Sequence, residues 1–111
     1  MQDESAFLAL TDRVLDAIGA ALDAAENGDL DWSENDGVLS VDCGTGGRII
    51  VNRHVPNREI WVAAKSGGFH FRPESGAWRD TRGGEELGVV LQRLLQQQAA
   101  ARVDFPPLRS A

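Results

Sequence analysis

The sequence predicts an α+β two-layer sandwich: an antiparallel sheet of five to six strands, covered on one face by an N-terminal and a C-terminal helix. Three observations carry that prediction. Both ends of the chain place apolar residues at three- and four-residue steps, the period of one helical face. Between them the period falls to two, punctuated by turn residues. The connections between the period-two segments are too short for crossover helices, so neighbouring strands run antiparallel.

The first helix is expected from Ser5 to Ala25, with Phe7, Leu10, Val14, Ile18, Ala21, Leu22 and Ala25 on its apolar face. At ~100° per residue, Asp12, Asp16 and Asp23 fall on the opposite side, with Glu26 near the edge of that stripe. Asn27-Gly28 supplies the expected stop, since this pair adopts the left-handed C-cap conformation easily. Strands are expected at Leu30 to Glu34, Val38 to Cys43, Arg48 to Arg53, Glu59 to Ala64, Phe69 to Arg72 and Ala77 to Arg79. Their separators are Asn35-Asp36-Gly37, Gly44-Thr45-Gly46-Gly47, Pro56-Asn57, Ser66-Gly67-Gly68 and Glu74-Ser75-Gly76, all turn chemistry.

Strand parity then assigns faces. In the third strand Ile49 and Val51 point to the helices, while Arg48, Ile50 and Asn52 face solvent. In the fourth, Ile60, Val62 and Ala64 are the inward set, and Trp61 stands with Glu59, Ala63 and Lys65 on the open face. The second helix is expected from Gly84 to about Ala100 through Leu87, Val90, Leu91, Leu94 and Leu95. One domain over residues 1–105 is followed by a short tail, 106–111. Pro106-Pro107 ends regular structure there, and the last residues are expected to be loose.

The chain has 111 residues, 42% hydrophobic and 25% charged, which suits one soluble domain with its own core. Its longest apolar stretches, such as Ile60 to Ala64, are far below the ~18 residues of a membrane span. Met1-Gln2-Asp3-Glu4 lacks the charge and apolar run of a secretory signal, and Cys43 is the single cysteine, so a reducing cytoplasm is the expected location. Cys43 alternates with Leu39 and Val41 and is expected to be a buried, inert thiol.

The net charge of −6 hides a strong asymmetry. Residues 1–42 hold eleven acids and one base, Arg13, while residues 43–111 hold six acids and ten bases. Concentrated negative charge argues against a nucleic-acid binder and favours cations or basic protein surfaces as partners.

No enzyme is expected. His54 and His70 are the only histidines, and neither shares a motif with a nucleophile. His70 alternates with Phe69 and Phe71, so it is expected to face solvent in a structural role. Gly44-Thr45-Gly46-Gly47 joins two strands and lacks a phosphate-loop pattern, and no zinc spacing occurs. What remains is acidic. Asp29 and Asp31 share a face of the first strand, and with Asp12, Asp16, Asp23 and Glu26 they form six carboxylates along one expected ridge. Asp12 over Asp16 without a basic partner costs a few tenths of a kcal/mol. Oxygen-only donors suit hard cations such as Mg, Ca, Mn and ferric iron. A solvated acidic face and a metal or partner site remain equal readings of these residues.

The segment Asn52-Arg53-His54-Val55-Pro56-Asn57-Arg58-Glu59-Ile60-Trp61-Val62-Ala63 resembles the signature of the frataxin family, in its short bacterial branch. Gly37-Val38-Leu39, Arg48 to Arg53, Gly67-Gly68-Phe69-His70-Phe71 and the acidic first helix extend the likeness over nearly the whole chain. The resemblance implies a protein that binds iron, Fe2+ or Fe3+, weakly and without an organic cofactor. It implies docking on the cysteine desulfurase (IscS-type) that builds iron-sulfur clusters, and on the scaffold protein. It places the ridge on Asp23, Glu26, Asp29 and Asp31, with Asp12, Asp16 and Asp3 peripheral, and partner contact on Asn52 and Trp61. A monomer is expected, with oligomers under excess iron. An iron-oxidising storage enzyme and a purely acidic docking module are the alternative readings. Gly19 and Ala20 stand where relatives often carry acids, Leu8 where some carry a histidine, and Glu59 where a glutamine is usual.

Overall fold

The structure, a computed structural model, describes residues 3–25 and 30–111. Helix α1 spans Glu4–Asp23, strands β1 to β6 span Asp31–Asn35, Val38–Asp42, Arg48–His54, Glu59–Ala64, Gly67–Glu74 and Ala77–Asp80, and helix α2 spans Leu87–Ala99. The six strands lie in chain order, every neighbouring pair antiparallel, so the α+β sandwich is as expected. Asp36 and Gly37, at φ of 50° and 82°, close the first hairpin with the positive φ pair that matches strand twist.

The inward parity of the sheet is continuous. Leu39, Val41, Ile49, Val51, Ile60, Val62, Phe71 and Trp78 are all buried, and they meet Phe7, Leu10, Val14, Leu15 and Ile18 of α1 and Leu87, Val90, Leu91, Leu94 and Leu95 of α2. Burying side chains of this size stabilises by ~1.5–3 kcal/mol each, which fixes the register. Trp78 is fully buried; its ring meets Phe7 edge-on, with centroids 6.3 Å apart, and its Nε1 donates to the Arg109 carbonyl at 3.1 Å.

Three local expectations are corrected. Helix α1 ends at Asp23 with Ala24 as C-cap, before the expected Ala25, while Asn27-Gly28 lies outside the described residues. Strand β5 runs through Pro73 to Glu74, beyond the expected Arg72. Its pairing with β4 stops at Phe71, so the missing Pro73 N–H costs no ladder bond on that side. The C-terminal residues are packed, not loose. Arg109 bridges to Ala77, the Ser110 N–H donates to the Gly76 carbonyl at 2.9 Å, and Leu108 is buried in the core.

Arg53 locks α1 to the sheet. It lies on the inward side of β3, register-paired with Ile60, and its Nη1 donates to Asp12 Oδ1 at 2.6 Å and to the Leu8 carbonyl at 3.4 Å. Its stem runs so close over Gly37 that a Cβ there would lie 2.3 Å from Arg53 Nε. Asp12 therefore has a basic partner, supplied by β3 across the layers and not by its own helix.

Candidate functional site

The open face of the sheet carries Asn52 and Trp61 where parity placed them. Trp61 is paired in register with Asn52 on β3 and His70 on β5. Its indole is sandwiched between two imidazoles: His54 at 3.6 Å between centroids and 9° between planes, His70 at 4.2 Å and 11°. Indole Nε1 donates to Glu59 Oε1 at 2.8 Å, so Glu59 orients the ring. Sandwiching and hydrogen bonding together hold Trp61 half-buried in one orientation, with Val38 exposed nearby on the same face.

Strand parity places Trp61 on this face but does not reveal the stack around it. His70 faces solvent as its alternation with Phe69 and Phe71 predicts, and its ring also covers Trp61. The signal was in the hairpin. With Lys65-Ser66 as a two-residue turn, Ala64 pairs with Gly67 and Trp61 falls opposite His70. Treating Ser66-Gly67-Gly68 as the separator starts the strand at Phe69 and loses that register. His54 Nδ1 is buried with no hydrogen-bond partner among the described residues, consistent with a ring held by stacking.

The described members of the expected acidic ridge lie in separate places. Asp3 is the N-cap of α1, accepting from the Ala6 N–H at 2.7 Å. Asp12 is paired with Arg53, and Asp16 is exposed. Asp23 Oδ1 accepts from Trp32 Nε1 at 2.8 Å, tying the end of α1 to β1. This contact explains Gly19, since a Cβ there would lie 2.5 Å from the Trp32 ring. Asp31 belongs to the open face instead, register-paired with Asp42, which is itself opposite Arg48. These residues line a shallow depression of about 250 Å³ with Trp32, Ser33 and Ser40. Glu26 and Asp29 lie outside the described residues. Among the described residues, no three of the His, Cys, Asp and Glu side chains form a group able to hold a metal ion.

Cys43 is buried as expected. Burial first, and the Asp42 carboxylate second, push its thiol pKa above the usual value, which keeps it protonated and unreactive.

A family model described as a frataxin-like domain matches residues 1–101. The chain belongs to the frataxin family. It is 43% identical over 105 residues to the iron-sulfur cluster assembly protein CyaY of Cupriavidus taiwanensis, covering 92% of this chain and 95% of that relative. It is likewise 43% identical over 101 residues to CyaY of Burkholderia mallei, covering 89% of this chain and 94% of that one. Among solved structures, frataxin from Psychromonas ingrahamii superposes with a TM-score of 0.86 at 26% identity, covering 95% of this chain and 99% of that chain. Trimeric frataxin from the yeast Saccharomyces cerevisiae, complexed with ferrous iron, shares the fold with a TM-score of 0.67 at 24% identity, covering 90% of this chain and 88% of that chain. No helix among the described residues is long and apolar enough to cross a membrane.

Proposed function

We propose that this frataxin-family chain takes part in iron-sulfur cluster assembly as a non-enzymatic, iron-binding partner of the cysteine desulfurase and scaffold complex. It docks through Asn52 and Trp61 and holds iron weakly on the carboxylates of its acidic N-terminal third. The observation that carries this reading is the Trp61 indole, a large ring on an uncovered sheet face, fixed between His54 and His70. Rigid, half-exposed aromatic rings are frequent interface anchors, because their ordering cost is met before the partner arrives. Relatives at 43% identity named as iron-sulfur cluster assembly proteins support the same process.

Iron is cargo in this reading. Asp16, Asp23 and Asp31, with Glu26 and Asp29, offer only oxygen donors, which suits a hard cation held weakly and released readily. Asp12 contributes least, since iron there must compete with Arg53 at 2.6 Å. A non-enzymatic role agrees with the two imidazoles being stacked on Trp61 and the thiol of Cys43 being buried and protonated. A cytoplasmic location agrees with the single unpaired cysteine. The monomer is the working state, with oligomers only under excess iron.

A reconstituted cluster-assembly reaction containing desulfurase, scaffold and ferrous iron at low and high concentration tests the reading. Adding the protein is expected to change the rate in an iron-dependent manner. Replacing Asp16, Asp23, Glu26, Asp29 and Asp31 by their amides is expected to abolish the iron dependence. An unchanged rate at both iron levels contradicts the proposal. Saturable oxygen consumption with ferrous iron, lost in the same variant, would make the chain an iron-oxidising enzyme instead.

A further inference from the structure

The open face carries a second feature beyond the Trp61 stack. Arg72 of β5 and Arg79 of β6 are direct register partners. Their neighbours Phe71 and Trp78 are buried against the helices, so both arginines stand on the open side. Like charges directly opposite each other destabilise a strand pair. On its other side Arg79 faces Glu86 across an isolated antiparallel bridge, without forming an ion pair with it. Arg53, Arg93 and Arg102 have carboxylate partners in Asp12, Glu85 and Asp104, whereas among the described residues neither Arg72 nor Arg79 has a carboxylate within ion-pair distance. Glu59 on this face is engaged by Trp61, and Glu74, two residues beyond Arg72, forms no ion pair. Arg79 Nη1 donates to the Gly84 carbonyl at 3.1 Å, which orients the guanidinium without neutralising it.

From this we infer that the Arg72–Arg79 corner receives a carboxylate-bearing segment of an acidic protein partner, seated beside the His54–Trp61–His70 stack. The inference rests on reading the open face as a docking surface and names the chemistry that would dock there. Arg72 is two residues from His70 on the same strand, about 7 Å along the sheet, so one short segment spans both the aromatic anchor and the cations. Two neighbouring guanidinium groups match carboxylates in bidentate geometry. An extended polyanion fits poorly, because the far end of the same face carries the Asp31–Asp42 pair and the chain's net charge is −6.

Titration of the isotopically labelled full chain with a short synthetic peptide of alternating glutamate and leucine, followed by amide and indole NMR resonances, tests this directly. Shifts are expected at Arg72, Arg79, His70 and the Trp61 indole, fading as salt rises and absent with the matching glutamine peptide. The double variant Arg72→Glu/Arg79→Glu is expected to weaken binding roughly tenfold or more, and Arg72→Gln/Arg79→Gln by less, with melting temperatures recorded to show that both fold. Shifts centred on Arg13, Arg48 or Arg109, equal affinity in the charge-reversed variant, or tighter binding of a single-stranded oligonucleotide would each overturn the inference. So would sedimentation showing that this face is covered by a second copy of the chain. Neither iron nor desulfurase enters the titration, so its failure removes the acidic-segment inference alone, and failure of the assembly reaction leaves the titration standing.

Discussion

Trp78 and Trp61 stand two strands apart on opposite faces of one sheet. Trp78 is fully buried beneath the helices, its ring against Phe7 and its N–H on the Arg109 carbonyl. Trp61 is half-buried on the uncovered face, its ring between two imidazoles and its N–H on the Glu59 carboxylate. Both indoles are satisfied and ordered, yet only one of them joins the two layers. The inner ring is surrounded on every side by the chain itself, so its energy goes to folding. The outer ring is ordered by neighbours that also leave it accessible, which is what a recognition surface requires.

That difference can be broken first at Trp78. Trp78→Ala is expected to cost ~3–5 kcal/mol in urea denaturation, because it empties the largest buried volume and removes the hydrogen bond to the Arg109 carbonyl. A loss under about 1 kcal/mol would mean that the inner face is not the source of stability. The edge comes next. Gly19→Val puts a side chain into the Trp32 ring and should part α1 from β1 at a cost of ~1–3 kcal/mol. Trp32 fluorescence reports it, isolated in a background carrying Phe at the other two tryptophans. Arg53→Met keeps most of the stem but removes the charged link to Asp12 and the Leu8 carbonyl. The expected loss is about 1–2 kcal/mol, and a neutral result would show that the layers are held by apolar contact alone. The smallest effect is chemical. Burial and Asp42 raise the Cys43 thiol pKa, so alkylation by iodoacetamide near pH ~8 should run slower than that of a free cysteine and accelerate as pH rises. Because the folded-state pKa is the higher one, this group's contribution to stability is present below its unfolded pKa and declines as pH rises through the folded value. Alkylation at the free-cysteine rate would place the thiol in solvent.

The fold was largely legible, because period and parity follow from burial alone. Ile49, Val51, Ile60 and Val62 announce the covered face, and Trp61 falls on the other by alternation. What was not legible depends on groups distant in sequence. Arg53 reads as an ordinary strand residue until its partner Asp12 is brought over it from α1. Asp31 shares a ridge with the helix acids on paper, but strand pairing turns it toward Asp42 on the open face. Gly19 reads as a missing acid, whereas in space it makes room for Trp32. Pro106-Pro107 predicts a loose tail, whereas its docking onto Ala77 and Trp78 depends on the sixth strand being in place. The His70 half of the stack depends on the register that the Lys65-Ser66 turn determines, and the His54 half on the pairing of β3 with β4.

The central claim is that the open face recognises a partner while the covered face holds the fold, and Trp61→Arg tests it most directly. Thermal or urea unfolding of the variant should be run beside its binding to purified cysteine desulfurase and scaffold. Removing two stacked contacts is expected to cost about 1–2 kcal/mol while leaving a single cooperative transition. Binding is expected to weaken by roughly thirtyfold or more, the loss of about 2 kcal/mol that an interface anchor carries. A collapsed fold would mean that Trp61 supports the core, and unchanged affinity for both partners would mean that docking takes place elsewhere on the molecule.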